Sequence, residues 1–169
     1  MSQVADEHRA SSPEEVVCAV VTVSDTRTID TDTGGRLLCE LLTAAGFRIA
    51  AREIIPDEPP RMRSLVERFR DDPQIAAVLL TGGTGVSGRD QTFETICALL
   101  TRQLPGYGEL FRMLSYHEIG PAAMLSRAVG GLVDRTVVLT MPGSPAAVRL
   151  AVEKIIAPEL RHLVREAIR

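Results

Sequence analysis

The chain has 169 residues, of which 45% are hydrophobic and 24% charged, with a formal net charge of 19 − 22 = −3. That length points to one domain, and the balance argues against a wholly disordered chain, a coiled coil, a collagen-like fibre or a duplex nucleic-acid binder. Lys154 is the only lysine, which rules out a lysine-dependent phosphate loop at a glycine-rich turn. In chain order, residues 1–15 are polar and contain Ser11-Ser12-Pro13, which predicts a disordered leader ahead of a single domain over 16–169. Residues 16–23 are a continuous apolar run rich in β-branched side chains, the pattern of a strand buried on both faces. After an acidic, threonine-rich loop, leucines at 37, 38, 41 and 42 predict a helix over 35–45, stopped by Gly46. Residues 47–55 read as a second strand, and the proline-rich turn at 56–60 opens a helix over 61–70. A third apolar strand at 75–80 runs into the glycine-rich stretch 81–90, and a helix is expected over 92–100. Residues 105–108 read as a sharp turn, 109–116 and 121–127 as two short helices. Residues 128–133 and 136–141 read as a hairpin around Asp134-Arg135. Residues 142–145 open a helix to about 156, and Pro158 starts a last one. Strands alternating with helices predict an α/β sandwich with a mostly parallel sheet, made mixed by the hairpin.

Several chemistries lack their residues. The three cysteines, Cys18, Cys39 and Cys97, are far apart with no CxxC pair, and read as reduced core thiols. No GxSxG elbow, HExxH pair or Cys/His cluster is present, so acyl transfer and zinc hydrolysis have no support. The N-terminus carries neither a basic segment nor an apolar one, and no apolar run approaches the ~20 residues of a membrane helix, so a cytoplasmic protein is expected.

In an open α/β sheet, ligands bind beyond the carboxyl ends of the strands. Four loops leave predicted strand ends: residues 24–33, 56–58, 81–90 and 142–145. The glycine-rich loop is the strongest signal, because glycines let backbone amides approach an anion. Residues 83–88 formally match GxGxxG, but the dinucleotide fingerprint follows a first strand and needs an acidic residue at the end of the next one. What survives is a phosphate cradle with Asp90 at its far end. Asp57 lies just beyond another strand. A carboxylate beside a phosphate cradle becomes favourable when a hard cation such as Mg²⁺ lies between them. The alternatives are a helix N-cap for Asp57 and a cap or turn for Asp90. Arg112, Arg127 and Arg149 either grip phosphate or lie on solvated helix faces.

At these residues the sequence resembles the MoaB/MogA family of molybdenum-cofactor biosynthesis proteins. The resemblance rests on Thr81-Gly82-Gly83-Thr84-Gly85 with Asp90, on Pro105-Gly106-Tyr107-Gly108-Glu109, and on Phe111-Arg112-Met113-Leu114-Ser115. It rests equally on Leu125-Ser126-Arg127-Ala128, Met141-Pro142-Gly143-Ser144, Thr22-Val23-Ser24-Asp25 and Ile55-Pro56-Asp57. It covers residues 16–163, and the stretches 111–115 and 155–160 look closer to MoaB than to MogA. The resemblance implies a three-layer molybdopterin-binding fold assembled as homotrimers, often hexamers. It implies adenylylation of molybdopterin by MgATP, releasing pyrophosphate. By motif position it makes Asp57 and Asp90 catalytic, with Asp90 holding Mg²⁺. The same positions make Ser24, Asp25, Gly82, Gly83, Thr84, Gly85, Glu109, Ser115, Ser126, Pro142, Gly143 and Ser144 binding contacts. A molybdate-inserting protein is the further partner it suggests. The chain departs from the family at Gly88-Arg89-Asp90-Gln91, where active members often carry Pro-Arg-Asp or Arg-Arg-Asp and then an aliphatic residue. That departure motivates an alternative, a non-catalytic molybdopterin-binding or scaffold protein of the same pathway.

Overall fold

The computed structural model describes residue 13 and residues 15–169; apart from residues 13 and 15, the expected leader lies outside them. The first strand, β1 (Val17–Val23), is buried at every position, as its unbroken apolar pattern requires of a strand covered on both faces. Helix α1 (Thr33–Ala44) returns the chain to β2 (Arg48–Ile55), which pairs in parallel with β1. Helix α2 (Pro59–Asp71) leads to β3 (Ala77–Thr81), which pairs in parallel with the other side of β1. After α3 (Thr92–Leu99), a two-residue strand β4 (Arg102–Gln103) and α4 (Pro105–Ile119), a 3₁₀ segment (Gly120–Leu125) precedes the hairpin β5 (Gly130–Val133) and β6 (Thr136–Met141). The sheet order is β2-β1-β3-β6-β5-β4, parallel except for β5 and β4.

Alternation along the central strands divides the core in two. Val20, Leu79 and Leu139 face α1, α4 and the C-terminal helix; Val21, Leu80 and Val138 face α2 and α3. Helices therefore cover both sheet faces, which makes the α/β, three-layer architecture expected from the sequence. No helix among the described residues is long and apolar enough to cross a membrane. Cys18 is buried and its thiol is pushed up to about 12 by burial, whereas Cys39 and Cys97 are only half-buried.

Three local expectations are corrected. The expected turn at residues 105–108 is the first turn of α4, because Pro105 at the helix start has no amide to lose and a preset φ. Tyr107 anchors that turn by donating its hydroxyl to the Thr140 carbonyl at 3.0 Å. The expected second helix over 121–127 is the 3₁₀ segment, entered through Gly120 at φ 63°. Pro158 does not start a new helix: α5 (Pro145–Ala151) runs through a π turn (Val152–Ile156) into α6 (Ala157–Ile168). The wide turn immediately precedes Pro158, whose ring would meet the carbonyl of residue 154 at ordinary α spacing. Strand β4 has no sequence signature, being two exposed residues at the sheet edge.

The entry to α1 is held by a buried charge. Asp32 caps the helix, with Oδ1 accepting from the Gly35 amide at 2.8 Å. Its Oδ2 accepts from Thr22 Oγ1 at 2.8 Å and Arg52 Nη2 at 2.9 Å. Burial opposes ionisation of Asp32, but the Arg52, Gly35 and Thr22 hydrogen bonds outweigh it and hold the carboxyl below its ordinary value. The group therefore stabilises the fold above the unfolded-chain carboxyl value, and that contribution is lost as pH falls through the lower folded value. Asp32→Asn should cost about 2 kcal/mol in urea unfolding at neutral pH, and its stability should fall less steeply below pH ~4 than that of the parent chain.

Candidate functional site

Parallel pairing brings four strand ends level. Val23 pairs with Ile55, Thr22 with Thr81, and Thr81 with Met141. The four loops singled out in the sequence therefore emerge side by side. They are cross-braced by the Ser24 amide on the Ile55 carbonyl (2.8 Å), the Gly82 amide on the Met141 carbonyl (2.9 Å) and Thr81 Oγ1 on the Pro142 carbonyl (3.1 Å). The order of β2, β1 and β3 puts this edge at a topological switch point, where open α/β sheets form their ligand crevices.

Two cavities lie along that edge and share Ser144. One, of about 410 Å³, is walled by Thr22, Ser24, Arg27, Asp32, Gly82, Gly143 and Ser144. The other, of about 230 Å³, is walled by Thr84, Gly85, Phe111, Ser115, Ser126, Pro142 and Ser144. Nine of the sequence-predicted binding residues thus line these two adjoining cavities, whereas Asp25, Gly83, Asp57 and Asp90 line neither. Glu109 also lies apart: it is exposed on α4 and lines a separate cavity with Phe93, Cys97 and Arg112.

The carboxylates flank the glycine-rich loop. Asp57 is buried, and its Oδ1 accepts the Gln91 amide at 3.1 Å. It is not the N-cap of the helix that follows it, a position held by Glu58 without a side-chain cap; it secures the start of α3 instead. Burial pushes the Asp57 carboxyl up, the Gln91 amide pulls it back, and the neighbouring charges of Asp90 and Asp25 push it further. Asp90 fastens its own loop, with Oδ2 accepting the Ser87 amide at 2.9 Å. Asp25 accepts the Asp57 amide at 3.1 Å and pairs with Arg89 through both oxygens. Those Arg89 hydrogen bonds hold the Asp25 carboxyl below its ordinary value.

The glycine conformations are obligatory at two points. Gly82 has φ +104°, and a Cβ there would stand 2.2 Å from the Val23 carbonyl oxygen. Gly83 has φ +62°, and a Cβ there would stand 2.2 Å from Thr92 Oγ1 and 2.4 Å from Asp57 Oδ2.

Of the three arginines weighed from sequence, Arg127 holds the loop. Its Nε donates to the Gly85 carbonyl at 2.7 Å, its Nη2 to the Asp90 carbonyl at 3.0 Å, and its amide to the Thr84 carbonyl at 3.1 Å. Its guanidinium also covers the Phe93 ring and pairs with Glu94. Arg149 pairs with Glu153 on an exposed helix face, and Arg112 donates to the Ala128 carbonyl at 3.3 Å. Sequence reasoning missed Thr92, Asp32 and Arg52, and it had no signal tying Arg127 to carbonyls 42 and 37 residues away.

Among the described residues, no three histidine, cysteine or carboxylate side chains converge to hold an ion. Asp57 Oδ2 and Asp90 Oδ1 remain outside the hydrogen bonds described above. A donor set of one or two carboxylates fits Mg²⁺ that keeps its remaining ligands from water and substrate phosphates.

The family model described as a probable molybdopterin binding domain matches residues 19–162. The chain belongs to that family. It is 51% identical over 161 residues to molybdenum cofactor biosynthesis protein B of Bacillus subtilis (strain 168), covering 95% of each chain. A crystal structure of molybdenum cofactor biosynthesis protein B superposes with a TM-score of 0.90 at 49% identity, over 94% of this chain and 99% of that one. The tungsten cofactor synthesizing protein MoaB from Pyrococcus furiosus superposes with a TM-score of 0.82 at 34% identity, over 94% and 100%. These relatives bear out the overall likeness to MoaB expected from the sequence.

Two substitutions probe the loop of this molybdopterin-binding-family chain. Gly83→Ala should destabilise by about 1–3 kcal/mol in chemical denaturation, since left-handed backbone and steric overlap add. Asp57→Asn should raise the melting temperature at pH 7, because an acid with a raised folded value binds its proton more tightly folded than unfolded. That gain should vanish at pH ~3, where the parent carboxyl is protonated in both states.

Proposed function

We propose that this chain binds molybdopterin and adenylylates it with MgATP. The observation that carries this reading is the pairing of Asp57 and Asp90 across a glycine loop that opens onto a serine-lined crevice. Two carboxylates beside an anion cradle repel phosphate unless the phosphate brings a cation. A metal-bound triphosphate meets that condition.

In the reaction, the terminal phosphate oxygen of molybdopterin attacks the α-phosphorus of ATP. The bond from that phosphorus to the bridging oxygen of the β-phosphate breaks, and pyrophosphate leaves with the electron pair. The nucleophile is already an anion at neutral pH, so positioning and charge neutralisation suffice. Backbone amides of residues 83–85 and the hydroxyls of Ser24, Ser115, Ser126 and Ser144 hold the two substrates. Asp57, buried and pinned by the Gln91 amide, aligns the reacting groups. Asp90 holds the Mg²⁺, which when bound offsets the phosphate charge.

The departure at Gly88 and Gln91 is compatible with this reading. Gln91 Nε2 donates to the Gly88 carbonyl at 2.9 Å, so the two departing positions are bonded to each other and close the loop. We place the reaction in the cytoplasm, in a homo-oligomer, trimer or hexamer, that passes its product to a molybdate-inserting protein. The exposed apolar side chains Leu110, Met113, Ile119 and Met124 of α4 and the following segment support the homo-oligomer.

Pyrophosphate release from MgATP should depend on molybdopterin. It should fall about 100-fold or more in Asp57→Ala and Asp90→Ala. Calorimetric binding of molybdopterin with no release by the parent chain would overturn catalysis in favour of a binding or scaffold role.

A further inference from the structure

Asp25 joins three loops. It stands just beyond β1, accepts the amide of Asp57 beyond β2, and grips Arg89 of the glycine-rich loop, 64 residues away. The Arg89 contact is bidentate, Nε to Oδ2 at 2.6 Å and Nη2 to Oδ1 at 2.8 Å. The fork of a guanidinium matches a carboxylate in this geometry, and it matches a phosphate equally well. The Arg89 side chain is 61% exposed at the rim, so a ligand can reach its guanidinium from solvent.

The same guanidinium faces more than Asp25. Asp57 and Glu58 both act on Arg89 electrostatically, and Asp25 and Asp90 both act on Asp57. Asp25, Asp57 and Asp90 thus form a spread acidic cluster that does not converge on one ion position, with Arg89 paired to Asp25 at its edge. Beside Asp57, Thr92 Oγ1 is fully buried with no hydrogen-bond partner, and the two side chains close the flank of Gly83 too tightly for a Cβ.

We propose that Arg89 is the internal counter-cation of this cluster and makes the site select a metal–polyphosphate complex over a free divalent cation. A free cation entering the cluster meets the guanidinium already there. It has to displace Arg89 from Asp25 into water, or bear the repulsion of a neighbouring unit charge. A metal–triphosphate complex brings the cation and also phosphate oxygens to which the guanidinium transfers. Both of its hydrogen bonds to Asp25 are then replaced by bonds to phosphate. The exchange leaves every charge partnered. Arg89 thus couples metal binding to nucleotide binding. This inference rests on the reading above only in naming ATP as the polyphosphate.

The test is Mn²⁺ binding to the full chain, read from the electron paramagnetic resonance signal of free Mn²⁺. It is run with Mn²⁺ alone and with α,β-methylene-ATP. In the parent chain, Mn²⁺ alone should bind weakly, and the nucleotide analogue should tighten it at least tenfold, a coupling of ~1.4 kcal/mol. Arg89→Gln should tighten Mn²⁺ alone by roughly tenfold, and the coupling should fall towards unity. Arg89→Lys keeps the charge and should bind Mn²⁺ alone as the parent does. A purely structural role for Arg89 predicts the opposite sign, weaker Mn²⁺ binding in Arg89→Gln. That result, or equal Mn²⁺ affinity in the parent and Arg89→Gln, overturns the proposal. If the analogue fails to bind while Arg89→Gln still tightens Mn²⁺, the counter-cation role stands and the ATP reading fails. If the analogue binds and its coupling survives Arg89→Gln, the ATP reading stands and this inference fails.

Discussion

The level pairing of β1 with β2 and β3, and of β3 with β6, is the constraint on which the crevice depends. Thr22 opposite Thr81, Thr81 opposite Met141 and Val23 opposite Ile55 bring four chain reversals to one edge within adjacent strand spacings. A shift of one residue in any of these pairings would move its loop along the edge and turn its side chains to the other sheet face. Such a shift is resisted by the core itself. The strands are buried on both faces, so every register error would expose one apolar set and bury the wrong one. The geometry of the polar site is thus stabilised by apolar packing several residues away from it.

On that frame, the loops are tied together by charge. Asp32 secures the entry of α1 through Thr22, the Gly35 amide and Arg52. Asp25 links the first loop to the amide of Asp57 and to Arg89, and Asp57 links the second loop to the start of α3. Arg127 closes the set by binding two carbonyls of the glycine-rich loop from the far side. Turning those carbonyls toward Arg127 is compatible with leaving amides of the same loop for an anion. The arrangement carries a cost, since Asp57 is a buried carboxylate among other carboxylates and burial pushes its carboxyl upward. A site that stores unfavourable charge for a ligand to relieve is a common trade between stability and function.

Much of this was legible along the chain. The continuous apolar run of β1, the spaced leucines of α1 and the Asp134-Arg135 hairpin each carry their own local physics, and each appears where expected. The glycine-rich loop and the two carboxylates after strands were legible because turn chemistry after an apolar strand has few other uses. What escaped was context. Pro105 and Pro158 look alike as breaks, yet one opens a helix and the other sits inside one, because neighbouring backbone decides whether its missing amide matters. Glu109 stands in a family motif but faces a different cavity, because helix phase and not motif membership sets direction.

By itself, then, the sequence determined the elements of the central sheet and its main helices, the α/β layering and the membership of the molybdopterin-binding family, since these follow from periodicity and from short motifs read in order. Only the tertiary structure decided which charges meet. Asp25 and Arg89 are 64 residues apart, Asp57 and the Gln91 amide 34, and Arg127 and the Gly85 carbonyl 42. No local propensity encodes such pairs. They exist because parallel strands joined by crossover helices carry distant loops to one edge, and partner identity there is set by register rather than by separation along the chain.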